Sequence, residues 1–117
     1  EASTQIDRYL RMKVKKHEGL TTLMIDLEGT LDRFNVQEVK KRIVQAAQKA
    51  RMDIVVNFEH LKHATPAALQ ALVDKDLLHK ISPYARLRYL NLKQAFQEAV
   101  GNLSLAGFEL QGVERIG

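Results

Sequence analysis

Between Asp53 and Val73 the chain reads DIVVNFEHLKHATPAALQALV, in which a strand, a polar loop and a helix follow one another without a spacer. Ile54, Val55 and Val56 form a β-branched run that ends at Asn57-Phe58. Continuous hydrophobicity of this kind suits a strand at the centre of a sheet, covered on both faces or nearly so. Ala68, Leu69, Leu72 and Val73 then recur at helical spacing, so the next element is an amphipathic helix expected to run towards His79. Thr65 and Pro66 mark its start. The Thr65 hydroxyl can accept from a free backbone N–H, and Pro66 suits the first helical position, where a missing N–H costs nothing. A strand feeding a helix is the building unit of layered α/β folds, and it delivers the intervening loop to the end of the sheet. That loop carries Glu59, His60, Lys62, His63 and Thr65-Pro66, and is the first place to look for function.

The flanking sequence supplies the rest of a sheet. Leu10, Met12 and Val14 alternate with Arg11, Lys13 and Lys15, and Leu23, Ile25 and Leu27 alternate in turn, as two strands with one wet face do. Glu18-Gly19 permits a turn, so the pair is expected to be an antiparallel hairpin closed near His17 to Leu20, with Gly29 stopping its second strand. Asn35 followed by Glu38 resembles a capping box. Val36, Val39, Ile43, Val44, Ala47 and Ala50 give the helix that follows a single apolar stripe. Leu87 to Leu92 reads as a further strand after the Ser82-Pro83 break. Ala95, Phe96, Ala99, Val100 and Leu103 read as a third amphipathic helix, irregular at Gly101 and stopped by Gly107, and Phe108 and Leu110 open a short last strand. The order β-β-α-β-α-β-α describes an α/β domain, a small mixed β-sheet layered with three or four helices. It is expected to occupy residues 8–117 as one domain, behind a polar tail over residues 1–7. The start at Glu1-Ala2-Ser3-Thr4, without an initiator methionine, fits a processed protein or a piece of a longer one.

Composition narrows the chemistry. The 117 residues contain no cysteine, which removes disulfide frameworks, thiolate nucleophiles and cysteine-based zinc sites. Apolar runs fall far short of the ~20 residues needed to cross a bilayer, so no direct membrane insertion is expected and the cytoplasm is the expected location. A net charge of +4 raises the question of nucleic acid, but the basic residues are dispersed among acids and no arginine-rich helix or aromatic ribonucleoprotein motif occurs. Nucleic acid is therefore not assigned as a partner. His60 and His63 lack a third strong ligand and read as solvated loop histidines, so no metal or other cofactor is assigned. Thr65 near His63 has no group to orient a base, and neither a Gly-x-Ser-x-Gly elbow nor a glycine-rich phosphate cradle is present, so the chain does not read as an enzyme. Asp26, Glu28 and Asp32 form a carboxylate cluster, which reads as a solvated strand face or as salt links to Lys13 and Lys15 on the paired strand. Lys40-Lys41-Arg42 is expected on the solvated side of the first helix.

With these elements in order, the chain resembles the STAS family, the domain of bacterial anti-sigma factor antagonists and of sulfate-transporter tails. Leu27-Glu28-Gly29-Thr30-Leu31-Asp32 resembles the family's L-x-G-x-L-D segment. Ile54-Val55-Val56-Asn57-Phe58 stands where the family has I-V-L-D-L, Leu61 to Leu72 follows V-x-F-I-D-S-S-G-L-x-x-L, and Leu103-Ser104-Leu105-Ala106-Gly107-Phe108 resembles L-x-x-x-G-[LF]. The resemblance implies a SpoIIAA-like fold over nearly everything after residue 8. It also exposes departures. The family's aspartate and phosphoacceptor serine become Thr65 and Pro66, the following Ser-Gly becomes Ala67-Ala68, and Asn57 replaces an acidic residue.

The resemblance implies a non-catalytic interaction and regulatory module that docks a protein partner of the anti-sigma factor, kinase or transport-ATPase type. Glu59, Lys62, His63, Thr65, Pro66, Ala67 and Gln70 are the expected contact residues, and Leu69 is ambiguous. Because proline has no hydroxyl, the serine switch is expected to be absent. Thr65 is the alternative phosphorylation site, since an anion at a helix N-terminus is favoured by the dipole and free N–H groups, while its competing role is that of a simple cap worth ~1 kcal/mol. Two other roles occur among STAS relatives: sensing of a nucleotide or anion, and membership of a membrane lipid- or anion-transport complex.

Overall fold

The structure, a computed structural model, describes residues 2–16, 21–92, 95 and 114–116. Strands β1 (Ala2–Gln5), β2 (Leu10–Lys16), β3 (Thr22–Leu31), β4 (Asp53–Asn57), β5 (Leu61–Ala64), β6 (Leu87–Leu90) and β7 (Glu114–Ile116) alternate with helices α1 (Val36–Ala50), α2 (Pro66–Leu72) and α3 (Lys75–Ile81). The sheet order is β1-β2-β3-β4-β6-β7, with β5 paired to β3 beyond the end of β4. Strands β1 to β3 pair antiparallel, whereas β4, β5 and β6 join in parallel.

Period-2 alternation accounts for the faces of this sheet. Leu10 and Met12 of β2, Ile25 and Leu27 of β3, Ile54 and Val56 of β4, and Leu87 and Tyr89 of β6 share one core. The β3-α1-β4 and β4-α2-α3-β6 crossovers advance in the same direction across the sheet, and same-handed connections then put α1, α2 and α3 on one side. Val36, Val39, Ile43 and Ala47 of α1, Leu69 and Leu72 of α2, and Leu77 and Ile81 of α3 complete that core. The Tyr89 hydroxyl, buried beneath the helices, donates to the carbonyl of Leu72 at the end of α2. The opposite face carries Arg11, Lys13 and Lys15 beside Asp26 and Glu28. Lys13 Nζ lies 3.0 Å from Glu28 and Lys15 Nζ 3.9 Å from Asp26, so of the two readings of this cluster the cross-strand links form for Asp26 and Glu28.

Several expectations need correction. Residues 2–5 of the presumed tail form β1, because their backbone completes a ladder along the outer edge of β2 (Ala2 opposite Val14, Gln5 opposite Arg11). Gly29 does not end the second strand: with φ +111° it forms an irregularity after which β3 continues to Leu31 against β5. Asn35 precedes α1 but its side chain makes no cap bond to that helix, so the capping box does not form. The single helix expected to run to His79 breaks after Leu72, because the Asp74 side chain accepts from Leu77 N and starts α3 afresh. Strand β6 ends at Leu90 and Asn91 turns left-handed, φ 63°, so the expected strand does not reach Leu92. Lys40 is largely covered and lies 3.7 Å from both Asp74 and Asp76, so it ties α1 to α3 instead of decorating a wet face. Lys80, 3.1 Å from Asp76, is the main cause of a carboxyl held below its ordinary pKa there. The hairpin turn near His17 to Leu20, the third amphipathic helix beyond Ala95 and the strand at Phe108 and Leu110 lie outside the described residues.

Candidate docking site

Strand β4 ends in a buried polar junction. Asn57 Nδ2 donates to Asp26 Oδ1 at 2.7 Å, while Asn57 Oδ1 accepts from Asn91 Nδ2 at 2.8 Å and from the Glu59 backbone N–H at 3.2 Å. The junction therefore ties the middle of β3 to the carboxyl ends of β4 and β6 and fixes the point at which the chain leaves β4. A buried amide is retained at little cost only when satisfied in this way. The asparagine that interrupts the apolar run thus has a structural explanation, and its partner Asn91 was not foreseen because nothing local in the sequence pairs residues so distant.

After Asn57 the chain makes a tight turn, in which Leu61 N–H donates to Phe58 O at 3.0 Å and Gly29 N–H to His60 O at 3.3 Å. The segment expected to be loop is then partly strand. Leu61, His63 and Ala64 pair with Gly29, Thr30 and Leu31 because β3 extends beyond β4 and leaves its own backbone groups to be satisfied. Thr65 N–H donates to Leu31 O at 3.0 Å, and Thr65 Oγ1 accepts from Ala68 N–H at 3.3 Å, with Pro66 beginning α2. The cap expected from the sequence therefore forms as described.

This local geometry sorts the expected contact residues. Glu59, Lys62, His63, Thr65, Pro66 and Ala67 are exposed, Gln70 is half-buried, and Leu69 is wholly buried in the core. Leu69 is thereby resolved as a core residue. His60 is exposed, with Nε2 4.0 Å from Glu59, and among the described residues no three His, Asp or Glu side chains gather to hold a metal ion. No described helix is long and apolar enough to cross a membrane.

The polar face of the sheet adds residues that sequence reasoning missed. Glu59, Lys62 and His63 border a groove of about 920 Å³ whose other walls include Arg8, Tyr9 and Arg11. Asp7 shapes that wall by accepting through Oδ1 from the backbone N–H groups of Tyr9 and Leu10, each at 2.9 Å. The signal was present as an aspartate just ahead of the first alternating strand, a composition that favours an Asx-type turn.

No family model and no curated protein matches the chain. Solved structures do. An antisigma-factor antagonist STAS domain from Rhodobacter sphaeroides superposes with a TM-score of 0.59 at 17% identity, over 75% of this chain and 92% of that one. The anti-sigma factor antagonist SpoIIAA in its unphosphorylated form gives 0.54 at 25% identity, over 74% of this chain and 81% of that one. The Bacillus cell fate determinant SpoIIAA in its phosphorylated form gives 0.52 at 17% identity, over 91% of each chain. The mixed sheet, the layer formed by α1, α2 and α3 and these superpositions together make the fold of this chain that of a STAS domain.

Proposed function

We propose that the protein is a non-catalytic interaction and regulatory module that docks a protein partner through Glu59 to Gln70, and that it does so without a serine phosphorylation switch. The observation that carries this reading is the exposed start of α2, where Thr65, Pro66 and Ala67 stand in solvent on a backbone held by β5 and by the Thr65 cap. Anti-sigma factor antagonists share the fold, and one of them is known in phosphorylated and unphosphorylated forms. In this chain the position matched to the acceptor serine is Pro66, which has no group to modify. The neighbouring Thr65 hydroxyl is engaged as a cap. Binding competence is then a constant property of the surface, or is controlled through the partner.

The test is direct. The protein is incubated with ATP and each candidate partner, an anti-sigma kinase or a transport ATPase, and complex formation and covalent mass are measured together. A stable complex with unmodified protein is expected, weakened when Ala67→Arg places a bulky side chain on the helix start. Stoichiometric phosphate within Lys62 to Leu69 would overturn the unswitched reading, and a complex indifferent to Ala67→Arg would overturn the site.

A further inference from the structure

The groove beside the helix start has a charge pattern of its own. Lys13 within it is neutralised by Glu28 at 3.0 Å, but among the described residues Arg8, Arg11 and Lys62 have no carboxylate partner. Arg11 Nε donates instead to Gln5 Oε1 at 3.3 Å, and the Arg8 guanidinium lies 5.9 Å from the centre of the Tyr9 ring. Tyr9 and Phe34, 58% and 76% exposed, are the large hydrophobic side chains left in solvent among the described residues. Both carry an arginine over the ring, since Arg33 lies 4.7 Å from the centre of Phe34. The loops that present them are locked together: Asn35 Nδ2 donates to Asp7 Oδ2 at 3.2 Å, and Thr30 N–H to Tyr9 O at 2.9 Å. Exposed aromatic and arginine side chains on a braced backbone have the composition of interface anchors whose ordering cost has been met before binding.

The occupant follows from how the donors are spread. A single small anion needs converging donors, yet the nearby backbone N–H groups are already used, those of Tyr9 and Leu10 by Asp7 and that of Gly29 by His60. The uncompensated cations come from the β1-β2 turn, from β2 and from β5, which suits several negative groups arranged along an extended ligand. Glu28 and Glu59 also line the groove, and would oppose the unbroken phosphate charge of a nucleic-acid strand. We propose that the groove, with Tyr9 in its wall and the Phe34 loop tied to that wall through Asn35 and Asp7, docks an acidic segment of a partner protein that also carries apolar side chains. The proposal names the partner chemistry of the site argued above and rests on that reading for the existence of a protein partner, while extending the contact surface onto β2 and the two aromatic loops.

A random peptide library displayed on phage and selected on the full chain tests it. Enriched peptides are expected to combine two or more Asp or Glu with aromatic or aliphatic residues. Synthetic versions are then titrated by fluorescence anisotropy. Affinity is expected to fall about tenfold for Arg8→Glu and for Lys62→Glu and a few-fold for Tyr9→Ala and Phe34→Ala, to weaken as salt is raised, and to be unaffected by Lys49→Glu on α1. Circular dichroism melts confirm that these surface variants remain folded. Neutral or basic consensus peptides, binding indifferent to Arg8→Glu and Lys62→Glu, or displacement by inorganic phosphate, ATP or anionic lipid vesicles at concentrations comparable to the peptide would overturn the proposal. Ala67→Arg separates the two readings. Loss of binding with that variant alone leaves docking at the helix start and removes the groove, whereas loss with Arg8→Glu and Lys62→Glu alone keeps the groove and removes the helix start.

Discussion

Helix α1 begins after Asn35, which is 1% exposed, and helix α2 begins after Thr65, which stands in solvent. The two starts lie at the same end of the sheet, since Leu31 at the end of β3 leads into the first and receives the Thr65 N–H that leads into the second. Asn35 is bound on every side. Its Oδ1 accepts from Asp32 N–H at 2.9 Å, and its Nδ2 donates to Thr30 O at 2.9 Å and to Asp7 across the chain. Asp32 Oδ1 in turn accepts from the Phe34 and Asn35 N–H groups. Thr65 makes one side-chain bond, to Ala68 N–H. The polar groups at the first start are thus consumed by the fold, while the second stands open to solvent.

If the first region is a structural brace, disturbing it is costly. The largest effect is expected for Gly29→Ala. At φ +111° an L side chain is strained, and its Cβ would run into the carbonyl oxygen of Tyr9. A loss of about 3 kcal/mol or more is expected in urea unfolding, and a loss below 1 kcal/mol would show that the β3 irregularity relaxes freely. Asn35→Ala comes next. It leaves the half-buried Asp32 N–H and Thr30 carbonyl without the Asn35 amide, at a cost of about 2 kcal/mol. A cost no larger than that of an exposed cap would erase the contrast with Thr65.

The rear of α2 is as firmly held as its front is open, because Tyr89 donates to Leu72 O beneath it. Tyr89→Phe is expected to lose ~1 kcal/mol, the net worth of a typical hydrogen bond plus the orphaned carbonyl. Burial first, and the Asp74 carboxylate second, push the Tyr89 phenol well above its usual 10. The folded state therefore keeps its proton where the unfolded state loses it, so the contribution is intact below pH 10 and is eroded as pH rises past it. Alkaline melts should show that slope in the natural protein, and Tyr89→Phe should remove this part of it.

These same residues mark what the sequence made legible. The β-branched run of β4, the alternation of β2 and β3 and the Thr65-Pro66 start were readable because each rests on local period or local cap chemistry. Leu69, ambiguous in the sequence, was settled only by packing. Strands β1 and β5 were missed because they exist through partners: polar residues 2–5 form a strand where β2 offers a free edge, and residues 61–64 where β3 overruns β4. The groove was equally hidden, since Arg8, Arg11 and Lys62 meet only through the sheet register. Asn35 shows the reverse error. Its spacing to Glu38 suggested a capping box, but the side chain found stronger partners upstream than the helix offers.

Smaller effects belong to the open start. Thr65→Ala removes one cap bond and is expected to cost about 1 kcal/mol, clearly less than Asn35→Ala, with little change in the rest of the fold. Pro66→Ser should change stability least, by a few tenths of a kcal/mol to about 1 kcal/mol, because serine is tolerated in a first turn and only the fixed φ of proline is given up. Its value lies elsewhere. The substitution places a hydroxyl at the position that the proposed register sets against the family's acceptor serine, exposed at a helix N-terminus where a phosphate is electrostatically favoured. With a partner kinase that reads this surface, Pro66→Ser should gain phosphate that the natural protein does not, and mass spectrometry of the two proteins side by side measures it. Gain of phosphate by the variant alone would show that the surface still presents itself as a kinase substrate and that proline is what withholds the switch. Equal phosphate on both would move the switch to Thr65. No phosphate on either, with a kinase that binds both, would mean that the neighbouring change to Ala67-Ala68 or the loss of acidic character at Asn57 has altered the surface beyond the missing hydroxyl.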